Sequence, residues 1–290
     1  MAKRSQSVTT ITARPETPKD DLREKCQRHL TRLGLSAFDL EAHLRWAREA
    51  KATELESIER LLAAAAGFKL ARSIEWRFDR SGLKLKKTLA TFDWNFQPKL
   101  DRRTVEALFD LAFVARREDV LLTGNSGTGK SHILQALVLK ACERELTVRY
   151  ARCVDLVDDL YAGLADGTYE RRMRAWCRPQ LIVIDDVGLG QLKRRGDEPT
   201  AAHMLFTLLD RRNTTASTAI TSNLQLSGWG KYLGDATLAA AVLDRLAANA
   251  VRIDIDGPSY RQHQARVRAG TQTPAASALH AADQAEQASP

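Results

Sequence analysis

The stretch GNSGTGKS, residues 124–131, decides the fold of this chain. It fits the P-loop pattern G-x-x-x-x-G-K-[ST], in which a glycine-rich turn cradles phosphates. An apolar run at 120–123 precedes it and predicts a buried strand, and apolar residues at helical spacing follow it at 132–142. Backbone N–H groups of such a turn point at one place, and the helix dipole favours an anion there. The motif therefore predicts a phosphate-binding turn between a strand and a helix of an α/β fold.

The side chains of this turn have expected tasks of their own. Glycines let the backbone approach a phosphate closely, the Lys130 ammonium reaches the β- and γ-phosphates, and the Ser131 hydroxyl holds Mg²⁺. ATP and Mg²⁺ are therefore the expected cofactors, and Lys130 is also a candidate catalytic residue. The predicted nucleotide contacts are Gly124, Asn125, Ser126, Gly127, Thr128, Gly129, Lys130, Ser131 and His132.

A second motif, LIVIDD at 181–186, joins an apolar run to two acids. A continuous apolar run is typical of a central parallel strand, and ligands of α/β sheets bind at the carboxyl ends of strands. We expect Asp185 to hold Mg²⁺ through water and Asp186 to orient or polarise the attacking water. The alternative is that the two aspartates only end a strand and cap a helix.

Composition limits the class of protein. The 290 residues suffice for one large domain or two modest ones, and 44% hydrophobic residues are ample for a core. A net charge of +8, concentrated before the P-loop, favours a polyanionic partner without proving one. The four cysteines form no C-x-x-C pair, which is typical of reduced thiols. We see neither a secretory h-region nor an apolar stretch of membrane-spanning length, and we expect a cytoplasmic protein with no membrane partner.

The chain divides into segments of different character. Residues 1–17 are expected to be disordered, 18–82 to form a helical domain, 83–100 a basic and aromatic connector, 101–268 the ATPase domain, and 269–290 a disordered, low-complexity tail. The aromatic run of the connector, from Phe92 to Phe96, could be a packing clamp or part of a base pocket. Its lysines could be a solvated face. They are Lys84, Lys86 and Lys87.

Hydrophobic spacing predicts the elements within these segments. Three N-terminal helices are expected, from about Lys19 to Gly34, from an N-cap at Ser36 through Ala47, and from about Glu54 to Arg80. Beyond Asp101 helix and strand alternate, which predicts a doubly wound parallel sheet with right-handed crossovers. Its five strands are expected at 119–123, 147–151, 181–184, 217–221 and 251–255.

The expected fourth strand ends in the polar triplet Thr221, Ser222 and Asn223. The Asn223 amide could hydrogen-bond the γ-phosphate or the attacking water. Asn and Ser also favour turns, so the triplet could equally be turn chemistry.

In this order the motifs resemble those of the IstB-like transposition helper ATPases. That family is a branch of the AAA+ initiator clade, which also contains the DnaC helicase loaders. The resemblance runs from about Thr88 to Arg261 and more loosely over the N-terminal helices. The segments that carry it are FDWNFQP at 92–98, GNSGTGKSH at 124–132, LIVIDDVG at 181–188, ITSN at 220–223 followed by WG at 229–230, LDRL at 243–246 and GPSYR at 257–261.

The resemblance implies an AAA+ P-loop NTPase core after a small all-α domain, and it implies roles for three residues. Asn223 matches the sensor-1 position. Arg245 matches an arginine finger that acts on ATP bound to a neighbouring subunit. Arg261 matches the sensor-2 arginine, which reads the γ-phosphate. From pattern alone, Arg245 could instead pair with Asp244, and Arg261 could be a solvated arginine.

Two departures from the family pattern affect these expectations. Many relatives carry Glu where this chain has Asp186, which is one methylene shorter, so we expect looser water positioning and slower hydrolysis. Few residues follow the strand at 251–255 before the tail, and we expect no separate helical lid. Nucleotide exchange and ring closure would then depend more on the neighbouring subunit.

Basic clusters mark where DNA is expected to bind. The segment 154–177 is long enough for two helices, and Arg171, Arg172 and Arg174 lie at helical spacing in its second half, followed by Arg178. The loop 188–198 carries Lys193, Arg194 and Arg195. Such arginines and lysines suit phosphate contacts, which bind DNA without reading its sequence. A solvated surface is the alternative for both clusters.

These features favour an ATP-dependent DNA-binding factor. ATP between subunits would promote a ring or helical homo-oligomer on duplex DNA, which would present that DNA to a transposase. A helicase loader shares the core but grips single strands, and a small-molecule P-loop kinase would need an acceptor pocket that no segment suggests. A scaffold that binds ATP without hydrolysing it also remains open.

Overall fold

The computed structural model describes residues 19–190, 192 and 199–271. The chain forms two compact units, with the boundary between Arg72 and Ser73. The expected disordered segment 1–17 lies outside the described residues, as does the end of the expected tail, from residue 272 onward. Lys193, Arg194 and Arg195 also lie outside them.

Helices make up the described part of the first unit. They are α1 (Lys19–Arg32), α2 (Leu40–Glu49) and α3 (Glu54–Ser81), which continues into the second unit. The expectation that Ser36 caps α2 is wrong, because the Asp39 carboxylate accepts from the Ala42 N–H at 2.8 Å. At the start of α3, Thr53 and Glu56 form a capping box, each accepting from the other's backbone N–H.

A five-stranded parallel sheet organises the second unit, with strand order β2-β3-β4-β1-β5. The five expected strands are confirmed, and β3 continues past residue 184 through both aspartates. The strands are β1 (Asp119–Gly124), β2 (Val148–Arg152), β3 (Leu181–Val187), β4 (Ser217–Ser222) and β5 (Ala250–Ile255).

Helices cover both faces of this sheet, as a doubly wound fold requires. Neighbouring β1 residues belong to the hydrophobic cores on opposite faces of the sheet. Leu122 is in the core with α6, and Leu121 is in the core with α7 and α9. The helices of the second unit are α4 (Arg102–Leu108), α5 (Ala112–Arg116), α6 (Lys130–Glu143), α7 (Cys153–Ala165), α8 (Tyr169–Cys177), α9 (Ala201–Arg212), α10 (Trp229–Leu233), α11 (Ala236–Asn249) and α12 (Tyr260–Thr271).

Three features of these helices bear on the sequence-based expectations. The segment 154–177 does contain two helices, α7 and α8. Helix α12 runs to Thr271, so helical structure continues past residue 268, where the tail was expected to begin. None of the described helices combines the length and apolar character that crossing a bilayer requires.

Candidate nucleotide site

The P-loop connects β1 to α6 and is held from several sides. Gly124, Gly127 and Gly129 all have positive φ, at 140°, 84° and 104°. A Cβ on Gly127 would overlap the Ser259 hydroxyl, and one on Gly129 would overlap the Phe92 ring. Glycine is therefore required here by backbone conformation and by space together.

A cavity of about 430 Å³ opens in front of the α6 N-terminus. Most of the predicted nucleotide and catalytic residues come together in its wall, although they derive from distant parts of the chain. The predicted residues that line it are Gly127, Thr128, Gly129, Lys130, Ser131, His132, Asp186, Asn223 and Arg261. Of the remaining P-loop residues, Gly124 and Asn125 line a neighbouring cavity of about 510 Å³, and Ser126 is exposed.

The Lys130 side chain is buried within the loop, with 3% of the residue exposed. Its Nζ donates to the carbonyl oxygens of Gly124 and Asn125, both at 2.7 Å. An ammonium has three N–H donors, so one remains for a phosphate. Burial lowers the pKa of Lys130 to about 8, Asp186 and Asp185 partly offset this effect, and the nearby Arg261 charge lowers the pKa further.

The Asp185 carboxylate is buried and accepts hydrogen bonds on both oxygens. Its Oδ1 accepts from the Ser131 hydroxyl at 2.9 Å and from the Thr221 hydroxyl. Its Oδ2 accepts from the Tyr150 hydroxyl at 2.7 Å. Because Ser131 directs its only proton to Asp185, the lone pairs of its oxygen remain available to a cation.

Asp186 has a left-handed backbone, with φ of 60°. Its N–H donates to the Thr221 hydroxyl at 2.8 Å, and its Oδ1 accepts from the Asn223 side chain at 3.1 Å. The β3–β4 register shifts between Ile184 and Val187, as in a β-bulge, and such irregularities often re-aim a side chain beside a site. The bulge brings the Asp186 carboxylate and the Asn223 amide to the same cavity.

The connector packs against the P-loop and also lines the cavity. Phe92 is buried and lies edge-on to His132, with ring centroids 5.5 Å apart. Phe96 and Tyr260, both in the cavity wall, lie edge-on at 5.0 Å. Phe92 therefore contributes both to the packing against the P-loop and to the cavity wall, and Phe96 lines the same cavity.

His132 belongs to this packing as well as to the cavity wall. Its Nε2 lies 3.0 Å from the Thr88 carbonyl oxygen and 3.3 Å from the Thr91 hydroxyl. Burial lowers its pKa. These contacts tie the start of α6 to the connector.

Arg245 is not among the residues that line the cavity of its own chain. On α11, its Nη1 lies 2.7 Å from Asp210 Oδ1, and its guanidinium lies 5.0 Å from the Phe206 ring centre. The ion-pair partner is therefore Asp210 on α9 rather than its sequence neighbour Asp244. The side chain is 34% exposed.

The arginines of α8 separate into two groups. Arg171 and Arg174 are exposed, and their spacing places them on one helix face with Arg178. Arg172 instead pairs with Asp159 and, at 2.8 Å, with Asp166. Two carboxylates therefore already engage the Arg172 guanidinium, and its expected contact with DNA stays a prediction.

Sequence reasoning missed Tyr150 and Thr221, which both donate to Asp185. Thr221 carries a readable signal, since it opens the polar triplet at the end of β4 and lies two residues before Asn223. The contact of Tyr150 depends on β2 lying beside β3, which hydrophobic spacing does not reveal.

The sheet order, the P-loop after β1 and the acidic pair at the end of β3 define a P-loop NTPase of the AAA+ type. Residues 29–268 match the family described as IstB-like ATP binding protein, and the chain belongs to that family.

Relatives named for ATP binding cover most of the chain. One, from insertion sequence IS5376 of Geobacillus stearothermophilus, is 32% identical over 86% of this chain and 97% of its own length. Another, from insertion sequence IS21 of Pseudomonas aeruginosa, is 36% identical over 70% of this chain and 74% of its own length. Both names combine ATP binding with a mobile element.

Solved structures resemble the chain only distantly. AMPPCP-bound DnaA from Aquifex aeolicus is 20% identical, with a TM-score of 0.49 over 60% of this chain and 51% of that chain. DnaI is 21% identical, with a TM-score of 0.45 over 60% of this chain and 89% of that chain. Likenesses of this size carry no argument about function.

Proposed function

We propose that the chain is an ATPase that assembles on duplex DNA in an ATP-dependent manner and assists the transposase of an insertion sequence. One observation carries the ATPase part: Lys130, Asp186 and Asn223 line one cavity, and they lie at or just beyond the carboxyl ends of three neighbouring strands. The names of the relatives support the transposition part. ATP and DNA as ligands imply work in the cytoplasm.

The side chains of the site fit a nucleotide with Mg²⁺. Ser131 and Asp185 offer hard oxygen atoms, which Mg²⁺ prefers, and Mg²⁺ commonly takes its other ligands from substrate phosphates and water. Among the described residues no group of three or more His, Cys, Asp or Glu side chains could hold a metal ion. When bound, Mg²⁺ would neutralise charge that develops on the phosphates.

The residues of the chain divide the remaining work. Lys130 and the loop N–H groups would hold the phosphates, while Asp186, held by Asn223, would orient the attacking water. Arg261 would face the γ-phosphate, because it lines the same cavity as Lys130. Phe96 and Tyr260 would form an aromatic wall for the base.

Arg245 would complete the site of a neighbouring subunit. It lies outside its own cavity, it is partly exposed, and the exposed ion pair with Asp210 is a weak restraint. An arginine that enters a phosphate site stabilises charge in the transition state. Hydrolysis would then require the homo-oligomer.

DNA would contact the exposed α8 face formed by Arg171 and Arg174, together with Arg178. Phosphate contacts of this kind give affinity without sequence choice. Several subunits on one duplex would add their contacts, which makes binding depend on ATP-driven assembly. The loop with Lys193, Arg194 and Arg195 stays a second candidate for DNA contact.

The deciding experiment measures binding of fluorescent duplex and single-stranded DNA with ATP, ADP or a non-hydrolysable analogue, and images the complexes by electron microscopy. We expect oligomers on duplex DNA only with ATP or its analogue, and we expect those oligomers to capture a transposase. Preference for single strands would favour a helicase loader. Phosphate transfer to a small acceptor without DNA would favour a kinase.

A further inference from the structure

The hydroxyl of Tyr150 connects the edge strand of the sheet to the acidic pair. In the β2–β3 ladder Tyr150 lies opposite Val183. Val183 precedes Asp185 by two residues, so the Tyr150 and Asp185 side chains are on the same face of the sheet. Its hydroxyl donates to Asp185 Oδ2 at 2.7 Å, and Gln135 Nε2 on α6 lies 3.1 Å from the same hydroxyl.

The directions of these two hydrogen bonds follow from the donors present. A phenol has one proton, and the Nε2 of an amide only donates. Gln135 therefore donates to the phenol oxygen, and the phenolic proton goes to Asp185. The reverse assignment would leave a carboxylate oxygen facing a lone pair.

The two oxygens of Asp185 thus have separate tasks. Oδ1 accepts a hydrogen bond from the Ser131 hydroxyl and thereby orients the oxygen that would face Mg²⁺. Oδ2 is held by Tyr150. If the phenolic hydroxyl were removed, a buried carboxylate oxygen would lose its donor, and rotation of the carboxylate to regain one would misalign Oδ1 with Ser131.

We propose that Tyr150 is a positioning residue that sets the Mg²⁺ affinity of the nucleotide site by fixing Asp185 and, through it, Ser131. The proposal rests on the proposed nucleotide site and adds a residue to its metal-binding part. Tyr150 would touch neither nucleotide nor metal.

Replacement of Tyr150 by Phe tests this role, because it removes the hydroxyl and keeps the ring. The experiment titrates a fluorescent, non-hydrolysable ATP analogue against the full chain at several free Mg²⁺ concentrations and in EDTA. We expect Tyr150→Phe to need about tenfold more Mg²⁺ for half-maximal enhancement of binding, because partners that orient metal ligands carry effects of about this size. Affinity in EDTA should match that of the wild type.

Tyr161→Phe is the matched control. The Tyr161 hydroxyl donates to the Pro199 carbonyl oxygen at 2.8 Å. Tyr161→Phe therefore also removes a phenolic hydroxyl, but from a contact between α7 and the segment before α9 instead of a contact with Asp185. Mn²⁺ binding to the nucleotide complexes, followed by electron paramagnetic resonance, provides a second readout without hydrolysis. In that measurement too, only Tyr150→Phe should lower the affinity for Mn²⁺.

The outcomes separate this inference from the proposed function. Wild-type Mg²⁺ dependence in Tyr150→Phe would overturn the positioning role. Equal losses of affinity in EDTA and in Mg²⁺ would overturn it as well, because they indicate general damage to the cavity. If the wild-type chain bound no nucleotide at all, the proposed function itself would fail, and the role of Tyr150 with it.

Discussion

The side chain of Asn223 donates to the Asp186 carboxylate at 3.1 Å, from the end of β4 to the neighbouring end of β3. This contact holds the carboxylate at the cavity and leaves its second oxygen available to a water molecule. Because the two residues act on one another, we expect their functional effects to be coupled rather than additive.

We expect Asp186→Asn to keep nucleotide affinity and to lower the rate of ATP hydrolysis about 100-fold, since the amide accepts a proton poorly from the attacking water. Turnover of ATP by the oligomer on DNA is the measurement. Asp244→Asn makes the same chemical change at an exposed position of α11 and should hydrolyse ATP normally. A wild-type rate in Asp186→Asn would assign the water to another residue.

The resemblance to the family leads us to expect Glu at position 186. The φ of 60° at Asp186 provides a structural reason for the Asp found there. Asp and Asn enter the left-handed region more readily than Glu does. We therefore expect Asp186→Glu to lower the free energy of unfolding by about 1 kcal/mol and not to accelerate hydrolysis. Asp186→Asn, which suits the same backbone, is the stability control in urea unfolding. A Glu variant that is both as stable and faster would show that φ does not select Asp.

Much of the fold can be predicted from local sequence pattern, but contacts between side chains of different elements cannot. The apolar runs mark the strands, and the acids at 185–186 stand at a strand end. The left-handed backbone at Asp186 occurs at the irregularity in the β3–β4 register, which a run of strand-forming residues does not predict. Side-chain partners from other elements are hidden for the same reason: Asp210 pairs with Arg245 from another helix.

Charge spacing alone also could not sort the arginines of α8. Arg171, Arg172 and Arg174 are alike in sequence, yet only Arg172 meets acids from α7 and the turn that follows it. How the two helices pack therefore decides which of these arginines are engaged by carboxylates. The sequence pattern located the basic segment, and the structure shows that Arg171 and Arg174 on it are exposed.

Nucleotide affinity should fall as pH rises above about 8. Burial lowers the pKa of Lys130 from 10.5 to about 8, so the ammonium of the nucleotide-free site is deprotonated at higher pH. The nucleotide affinity should then fall by up to about tenfold per pH unit. Between pH 8 and 10.5 the folded protein binds fewer protons at Lys130 than the unfolded chain, so this group's contribution to stability rises over that window. Calorimetry from pH 7 to about 9.5 tests the affinity; Lys130→Arg stays charged and should lack this dependence. A flat wild-type profile would contradict the pKa.

Arg245→Ala should bind ATP normally and lose at least about 100-fold in turnover if the arginine acts on a neighbour's nucleotide. Asp210→Asn breaks the same ion pair and keeps the guanidinium, so it should retain turnover. Mixing Arg245→Ala with Asp186→Asn should restore partial activity, because some interfaces combine an intact Asp186 with an intact Arg245. Equal losses in Arg245→Ala and Asp210→Asn would indicate an ion pair within the chain instead.

Replacing both Arg171 and Arg174 by Glu should weaken duplex binding alike on all sequences. Each phosphate contact contributes about 0.9 to the slope of log affinity against log salt, so two lost contacts should lower that slope by about 1.8. Anisotropy of labelled duplexes between about 50 and 200 mM salt measures it. ATPase activity without DNA should survive, because neither arginine lines the nucleotide cavity.

Two controls separate the α8 face from net charge and from folding. Arg103→Glu with Arg144→Glu changes the charge equally at two exposed positions outside α8 and should leave the slope nearly unchanged. Arg172→Gln should lower thermal stability without altering the slope, since its guanidinium is engaged by Asp159 and Asp166. If the α8 pair and the charge-matched pair lowered the slope equally, DNA binding would reflect overall charge. If neither did, the contacts would lie on another surface, with the loop carrying Lys193 and Arg194 as the next to reverse.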